Sequence, residues 1–190
     1  MNSSQDMFEI KKTKISGCLE LIPNIFDDKR GLFVKVFHQN AFASAGLETN
    51  FTEEYYSKSI KGVIRGLHFQ IPPKDHVKVC YCVQGSVFDV VLDLRLGSPT
   101  FGEHEVFSLT AKDANMVYIP KGMAHGFCSL SESSILVYKT STVYDANYDS
   151  GIRWDSAGIQ WPTESPIMSD RDKEFIDFQS FKSPFGPALL

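Results

Sequence analysis

Arg65, His68 and Lys78, three side chains able to move or steady charge, are gathered in the stretch Lys61 to Arg95, KGVIRGLHFQIPPKDHVKVCYCVQGSVFDVVLDLR. His125 in IPKGMAHGF joins them from further along the chain, and both it and His68 stand beside a glycine near a strand end. Proton abstraction next to a carbonyl needs a base tuned near neutrality, a cation for the enolate oxygen and an acid that returns a proton on the other face. His68 suits the first role and Lys78 the second. The third falls to a tyrosine, but residue types alone leave open which of the seven tyrosines it is, and which carboxylate steadies His68.

The same histidines raise a metal reading. Gly62 ahead of His68, and Pro120-x-Gly122-x-x-His125, resemble parts of the two motifs of metal-binding cupins. Such proteins place a second histidine two residues after the first, where this chain has Gln70. With Gln70 or Asp75 as the only further donors, a divalent site is short of ligands. Cys80 and Cys82 would share one face of a strand, yet Cys18, Cys80, Cys82 and Cys128 lack CxxC spacing and read as buried reduced thiols.

The elements that must position these groups read as strands. Val63-Ile64, Val77 to Val83 and Val87 to Leu94 are rich in β-branched and aromatic residues, and IPPKD and QGS separate them as turns. In the third run Phe88, Val90, Leu92 and Leu94 alternate with Asp89, Val91, Asp93 and Arg95, so one of the two faces should line a barrel interior. Further strands are expected within residues 8–26, over Leu32 to Phe37, Glu103 to Leu109, Met116 to Ile119 and Ile135 to Thr142, with FDDKRG as a charged turn. Helix is expected only over His38 to Ala45, ended by Gly46, and around Ser169 to Phe178, where SDRDKEF supplies an N-cap. The residues from Tyr144 through DANYDSGIRWDSAGIQWPTESP should pack irregularly on the body. Many short strands with little helix predict an all-β, double-sheet jelly-roll barrel with short peripheral helices, in a single domain over residues 1–190.

Composition narrows the function further. The chain has 190 residues, 43% hydrophobic and 13% aromatic, enough for a sizeable core. A net charge of -4 without a basic run argues against a nucleic-acid polymer as partner, while leaving room for a basic pocket that takes one small anion. The N-terminal MNSSQDMFEIKK has no signal-type apolar core and no window is long enough to span a bilayer, so no membrane is expected and the cytoplasm is the expected compartment.

GVIRGLHFQIPP, VFDVVLDLRLGSPTFG, YIPKGMAHGF, VYKTSTVY and GIRWDSAGIQWP closely resemble the dTDP-4-dehydrorhamnose 3,5-epimerase family, in the same order and with similar spacing, from FDDKRG to MSDRD. The resemblance implies a cupin-type jelly roll that works without metal or cofactor. It would form a homodimer and epimerise a 4-keto-6-deoxy sugar on a nucleoside diphosphate. By matching position, His68 is the general base, Asp172 its carboxylate partner, Lys78 the cation near the 4-keto oxygen, Tyr138 the proton donor and Tyr144 a ring stacked on the base. Arg65 and His125 match substrate contacts, and Phe26 and Arg30 match residues that reach across the dimer to the nucleotide. Asp149 and Arg171 stand where the family has Glu and Lys.

Where the family reads QDNHS this chain has Glu53, Glu54, Tyr55, Tyr56 and Ser57, and Lys35 replaces an acid beyond FDDKRG. Glu53 and Tyr55 are therefore expected at the sugar or nucleotide rim, with dTDP-4-keto-6-deoxyglucose as the expected substrate. The alternative is a 5-epimerase acting on a CDP-linked or otherwise modified 4-keto sugar. Readings of other classes are a metal-dependent cupin enzyme and a barrel that binds nucleotide sugars without turnover.

Overall fold

The computed structural model describes residues 7–186; the stretch MNSSQD, on which the reading of the N-terminus partly rests, lies outside the described residues. Two sheets face each other. The first has six strands: β1 (Phe8–Lys12), β2 (Leu19–Pro23), β5 (Glu53–Ser59), β7 (Lys78–Gln84), β10 (Met116–Ile119) and β12 (Ser134–Thr140), in the order β1-β2-β10-β7-β12-β5. The second has five: β6 (Ile64–Gln70), β8 (Ser86–Asp93), β9 (His104–Thr110), β11 (Met123–Ser129) and β13 (Asp149–Gly151), in the order β13-β6-β11-β8-β9. Strands β3 (Ile25–Asp28) and β4 (Gly31–Val34) form a hairpin of their own; its turn is Lys29-Arg30, and the rest of FDDKRG, expected as a turn, is paired in the strands. Two short α-helices, α1 (Gln39–Ser44) and α2 (Asp170–Lys173), and a 3-10 turn at Phe178–Ser180 complete the described elements. This is the expected all-β jelly roll with short peripheral helices.

Alternation sets what each face holds. On the six-stranded sheet Cys80, Cys82, Val117, Ile119, Leu136 and Tyr138 turn inward, while Val79, Tyr81, Met116 and Tyr118 turn outward onto Phe42 of α1. On the five-stranded sheet Val87, Val91 and Phe127 face inward, and Val90, Leu92 and Ala124 face outward onto Ile152, Ile159 and Phe185. The inner face of β8 is thus the one carrying Asp89, and its more apolar face lies under the irregular C-terminal segment. Both faces of the sheet are covered, which is why β11 reads MAHGFCS, buried at every position, and gives no alternation to recognise as a strand. Strand β4 stops at Val34, short of the expected Phe37, and β6 runs on from Ile64 through His68 to Gln70.

Asp93 ends β8 as a buried carboxylate that accepts from Arg95, from Ser98 at 2.6 Å and from Thr100 at 2.8 Å. Burial alone would raise its pKa, but these bonds hold it below the ordinary carboxylate value. Its folded pKa therefore lies under its unfolded one, so its stabilisation is present above the unfolded value and disappears as pH falls through the folded value. Asp93→Asn should cost about 3 kcal/mol at pH 7 in urea melts and should flatten the fall in stability between neutral and acid pH; an unchanged acid limb would refute the assignment.

Candidate active site

A cavity of about 400 Å³ opens between the sheets. From the five-stranded sheet it is lined by Arg65, His68, Gln70, His125 and Asp149, from the six-stranded sheet by Glu53, Tyr55, Ser57, Lys78, Tyr138 and Thr140, and at the mouth by Tyr144 and Arg171. Its volume is in the range of small-molecule sites.

Arg65 and His68 could not share a face of a regular strand, where residues of odd separation point to opposite sides. They do so because β6 carries an extra residue. His68 pairs with His125 and Arg65 with Phe127, so three steps on β6 oppose two on β11. Gly66 occupies the bulge with φ +126, where an added Cβ would lie 2.5 Å from the Gly126 Cα and 2.8 Å from the His125 carbonyl oxygen. The glycine is required by conformation and by space together.

The bulge frees the Gly66 N–H from the ladder, and that group donates to Asp172 Oδ2 at 3.0 Å. Asp172 Oδ1 meets His68 Nε2 at 2.9 Å. Ser169 caps α2 by accepting from the Asp172 N–H at 3.1 Å, which fixes the helix turn that aims the carboxylate. Burial would raise the Asp172 pKa, but the His68 and Gly66 bonds hold it below the usual range, so it is an anion and an acceptor. The His68 Nε2 therefore carries hydrogen and Nδ1 is left with a lone pair. The ring packed against His68 is Phe175, edge-on at 5.5 Å, while Tyr144 stands half exposed at the cavity mouth with its hydroxyl 3.4 Å from Asp149.

The opposite wall is built differently. Lys78 is 7% exposed, and burial pushes its ammonium below its ordinary value against the pull of Asp89, Asp149 and other neighbours. Tyr138, 6% exposed, stacks on Tyr55 at 4.7 Å and shares a 3.0 Å hydrogen bond with Ser57. Burial raises its phenol well above the ordinary value, so it keeps its proton at neutral pH. His125 is held by Asp89 through Nε2 at 2.8 Å, and Cys80 Sγ lies 3.9 Å from its Nδ1. Burial keeps this imidazole below its ordinary value.

Asp149 and Arg171 pair with each other at 2.7 Å, and Arg171 also approaches Asp172 at 3.6 Å. Arg65 has no acidic partner among the described residues; it donates to Ser59 Oγ and the Lys58 carbonyl. Glu53 accepts from the Tyr144 N–H. Phe26 and Arg30 lie on the β3–β4 hairpin and do not reach the cavity, and Lys35 beyond it is exposed. Gln70 is a knot rather than a ligand: its amide reaches the Lys74 carbonyl at 2.9 Å and accepts from the Asp145 N–H at 2.6 Å. His76, at the cavity wall and unmarked in the sequence reading, is pushed down to about 3 by burial and by Lys78. Ser57 could have been found from its alternation with Glu53 and Tyr55, and Asp89 from its place in the alternation of the third run, whereas Phe175 carried no local signal. Among the described residues no three His, Cys, Asp or Glu side chains converge as a metal-binding group.

A family model described as dTDP-4-dehydrorhamnose 3,5-epimerase matches residues 12–180. A Shigella flexneri protein named dTDP-4-dehydrorhamnose 3,5-epimerase is 42% identical over 176 residues, 90% of this chain and 97% of that protein. The Legionella pneumophila dTDP-6-deoxy-D-glucose-3,5-epimerase, solved with dTDP-4-keto-L-rhamnose, superimposes with a TM-score of 0.90 at 32% identity, covering 95% of this chain and 97% of that one. A 3'-monoepimerase from Streptomyces bikiniensis, solved with dTDP-quinovose, has a TM-score of 0.85 at 29% identity and covers 92% and 91% of the two chains.

Gly66→Ala should destabilise the fold by about 2–3 kcal/mol in denaturant melts. Gly151→Ala, whose new Cβ would fall 2.3 Å from the Phe175 ring, should displace that ring from His68. A melt of Gly66→Ala that overlays the parent curve would exclude the bulge.

Proposed function

The chain belongs to the dTDP-4-dehydrorhamnose 3,5-epimerase family, a family of isomerases, and on that premise we propose that it epimerises dTDP-4-keto-6-deoxyglucose at C5 and C3, the two carbons beside the ketone, without a cofactor. The observation that carries the reading is the division of labour between the sheets. His68 projects from the five-stranded sheet and Tyr138 and Lys78 from the six-stranded one, into the same cavity. A sugar lying between them has a base on one face and an acid on the other.

In this reading His68 Nδ1 removes the proton from C5. The C–H pair becomes the C4–C5 double bond and the ketone becomes an enolate. The Lys78 ammonium stabilises that oxygen in a site of low dielectric, where such a charge contributes more than in water. Tyr138 then donates its phenolic proton from the other side, the C=O re-forms and the configuration is inverted. C3 follows the same course. Asp172 holds the imidazole tautomer and steadies the imidazolium. Arg65, a cation with a fork of donors and no carboxylate partner among the described residues, suits the diphosphate, and His125, Tyr144, Glu53, Tyr55, Asp149 and Arg171 shape the sugar and nucleotide ends.

The reading includes a homodimer. The β3–β4 hairpin pairs with neither sheet and exposes Phe26 and Phe33, each 62%, and Leu32. Such an apolar patch, bearing Phe26 and Arg30 out of reach of its own cavity, fits a role at the nucleotide end of a second copy's site.

Incubation with dTDP-4-keto-6-deoxyglucose in deuterated water should place deuterium at C5 and C3, and His68→Asn should reduce that exchange on the order of 10³-fold. Lys78→Ala should lower kcat by roughly 10²-fold or more. Absence of exchange at both carbons, with dTDP- and CDP-linked substrates alike, would overturn the reading. Phe26→Asp with Phe33→Asp should yield monomers in sedimentation velocity; a parent protein that sediments as a monomer would overturn the dimer.

A further inference from the structure

Each inversion in the proposed cycle leaves the enzyme altered. The substrate's proton sits on His68, and Tyr138 is a phenolate. Before the next inversion in the same direction one proton must leave the imidazolium and another must reach the phenolate. His68 is about 29% exposed at its side chain and can lose its proton to water in the cavity. Tyr138 is less well placed. It is 6% exposed, Tyr55 covers one face of its ring and His125 stands edge-on at 6.1 Å. Among the described residues its hydroxyl has one hydrogen-bond partner, Ser57 Oγ at 3.0 Å.

Ser57 is partly exposed and belongs to β5, which pairs with β12 on one side and ends the six-stranded sheet on the other. It stands two residues from Tyr55 on the strand that faces β12, so the Tyr138 hydroxyl bridges diagonally to it across the ladder. A serine hydroxyl donates and accepts at once, which is the property a proton relay needs. We infer that Ser57 reloads Tyr138 after each inversion. The Ser57 O–H transfers its proton to the phenolate oxygen as a water molecule delivers one to Ser57 Oγ, and the hydroxide left behind is neutralised by the proton that His68 releases. Charge and protons balance, with solvent as the only co-reactant. Ser57 touches no reacting atom and acts through Tyr138. The inference rests on the reading of Tyr138 as the acid.

The test separates the first turnover from those that follow. The resting enzyme holds a protonated Tyr138, so Ser57→Ala and Ser57→Val should complete one inversion per site at close to the parent rate in rapid-quench experiments. They should then fall to a steady state roughly tenfold slower or more, with tyrosinate absorbance rising alongside the burst. Ser57→Thr, which matches valine in shape and keeps the hydroxyl, should remove both the burst and the absorbance. Loss of the burst phase along with the steady state, or a parent-like steady state in both hydroxyl-free variants, would overturn the relay. Tyr138→Phe reports on the premise separately: it should support His68-dependent exchange at the substrate carbon without inversion, and a phenylalanine variant that inverts at the parent rate would refute the acid assignment itself.

Discussion

The Asp172 carboxylate is the group on which the rest of the site depends. Its two oxygens join the Gly66 N–H and the His68 ring, so one anion stabilises the irregular backbone of β6 and sets the imidazole tautomer. The two functions reinforce each other. Without the bulge Arg65 and His68 would face opposite sides of the sheet. Without the carboxylate the bulge would leave a buried N–H unsatisfied, at a cost of roughly 1–3 kcal/mol.

The two walls of the cavity achieve different chemistry with the same physical means. On one side a hydrogen bond to an anion orients the His68 imidazole and fixes its tautomer. On the other, burial keeps Tyr138 a phenol and places the Lys78 charge where water screens it little. Separating these environments on two sheets keeps base and acid from neutralising each other, which a single strand bearing both could not ensure. His125 and Asp89 form a second imidazole–carboxylate pair on the same sheet as His68, but both ring nitrogens are engaged by protein atoms, which suits a fixed wall rather than a mobile proton carrier.

Much of this was legible in the chain. The strand runs around Val77 to Leu94 and the Ser169 cap hold their expected places, and His68 and Tyr138, named through the family resemblance, line one cavity. What escaped the sequence reading has identifiable causes. Strand β11 is covered on both faces, so its hydrophobicity has no period. The inward face of β8 is the one bearing Asp89, because the C-terminal segment needed the more apolar face. The place of Phe175 beside His68 depends on the path of a segment that no periodicity describes, and Gly151 leaves the room for it. Phe26 and Arg30 lie away from the cavity, on a hairpin that pairs with neither sheet.

Asp172 reaches His68 across 104 residues of sequence, on the segment that also roofs Val90, Leu92 and Leu94. The order of synthesis therefore matters. While translation continues, a nascent chain has β6 through β12 outside the ribosome before α2 has emerged, with greasy strands bare and the imidazole lacking its anion. Chemical competence and the sealing of that surface arrive together, once α2 and the residues around it have emerged.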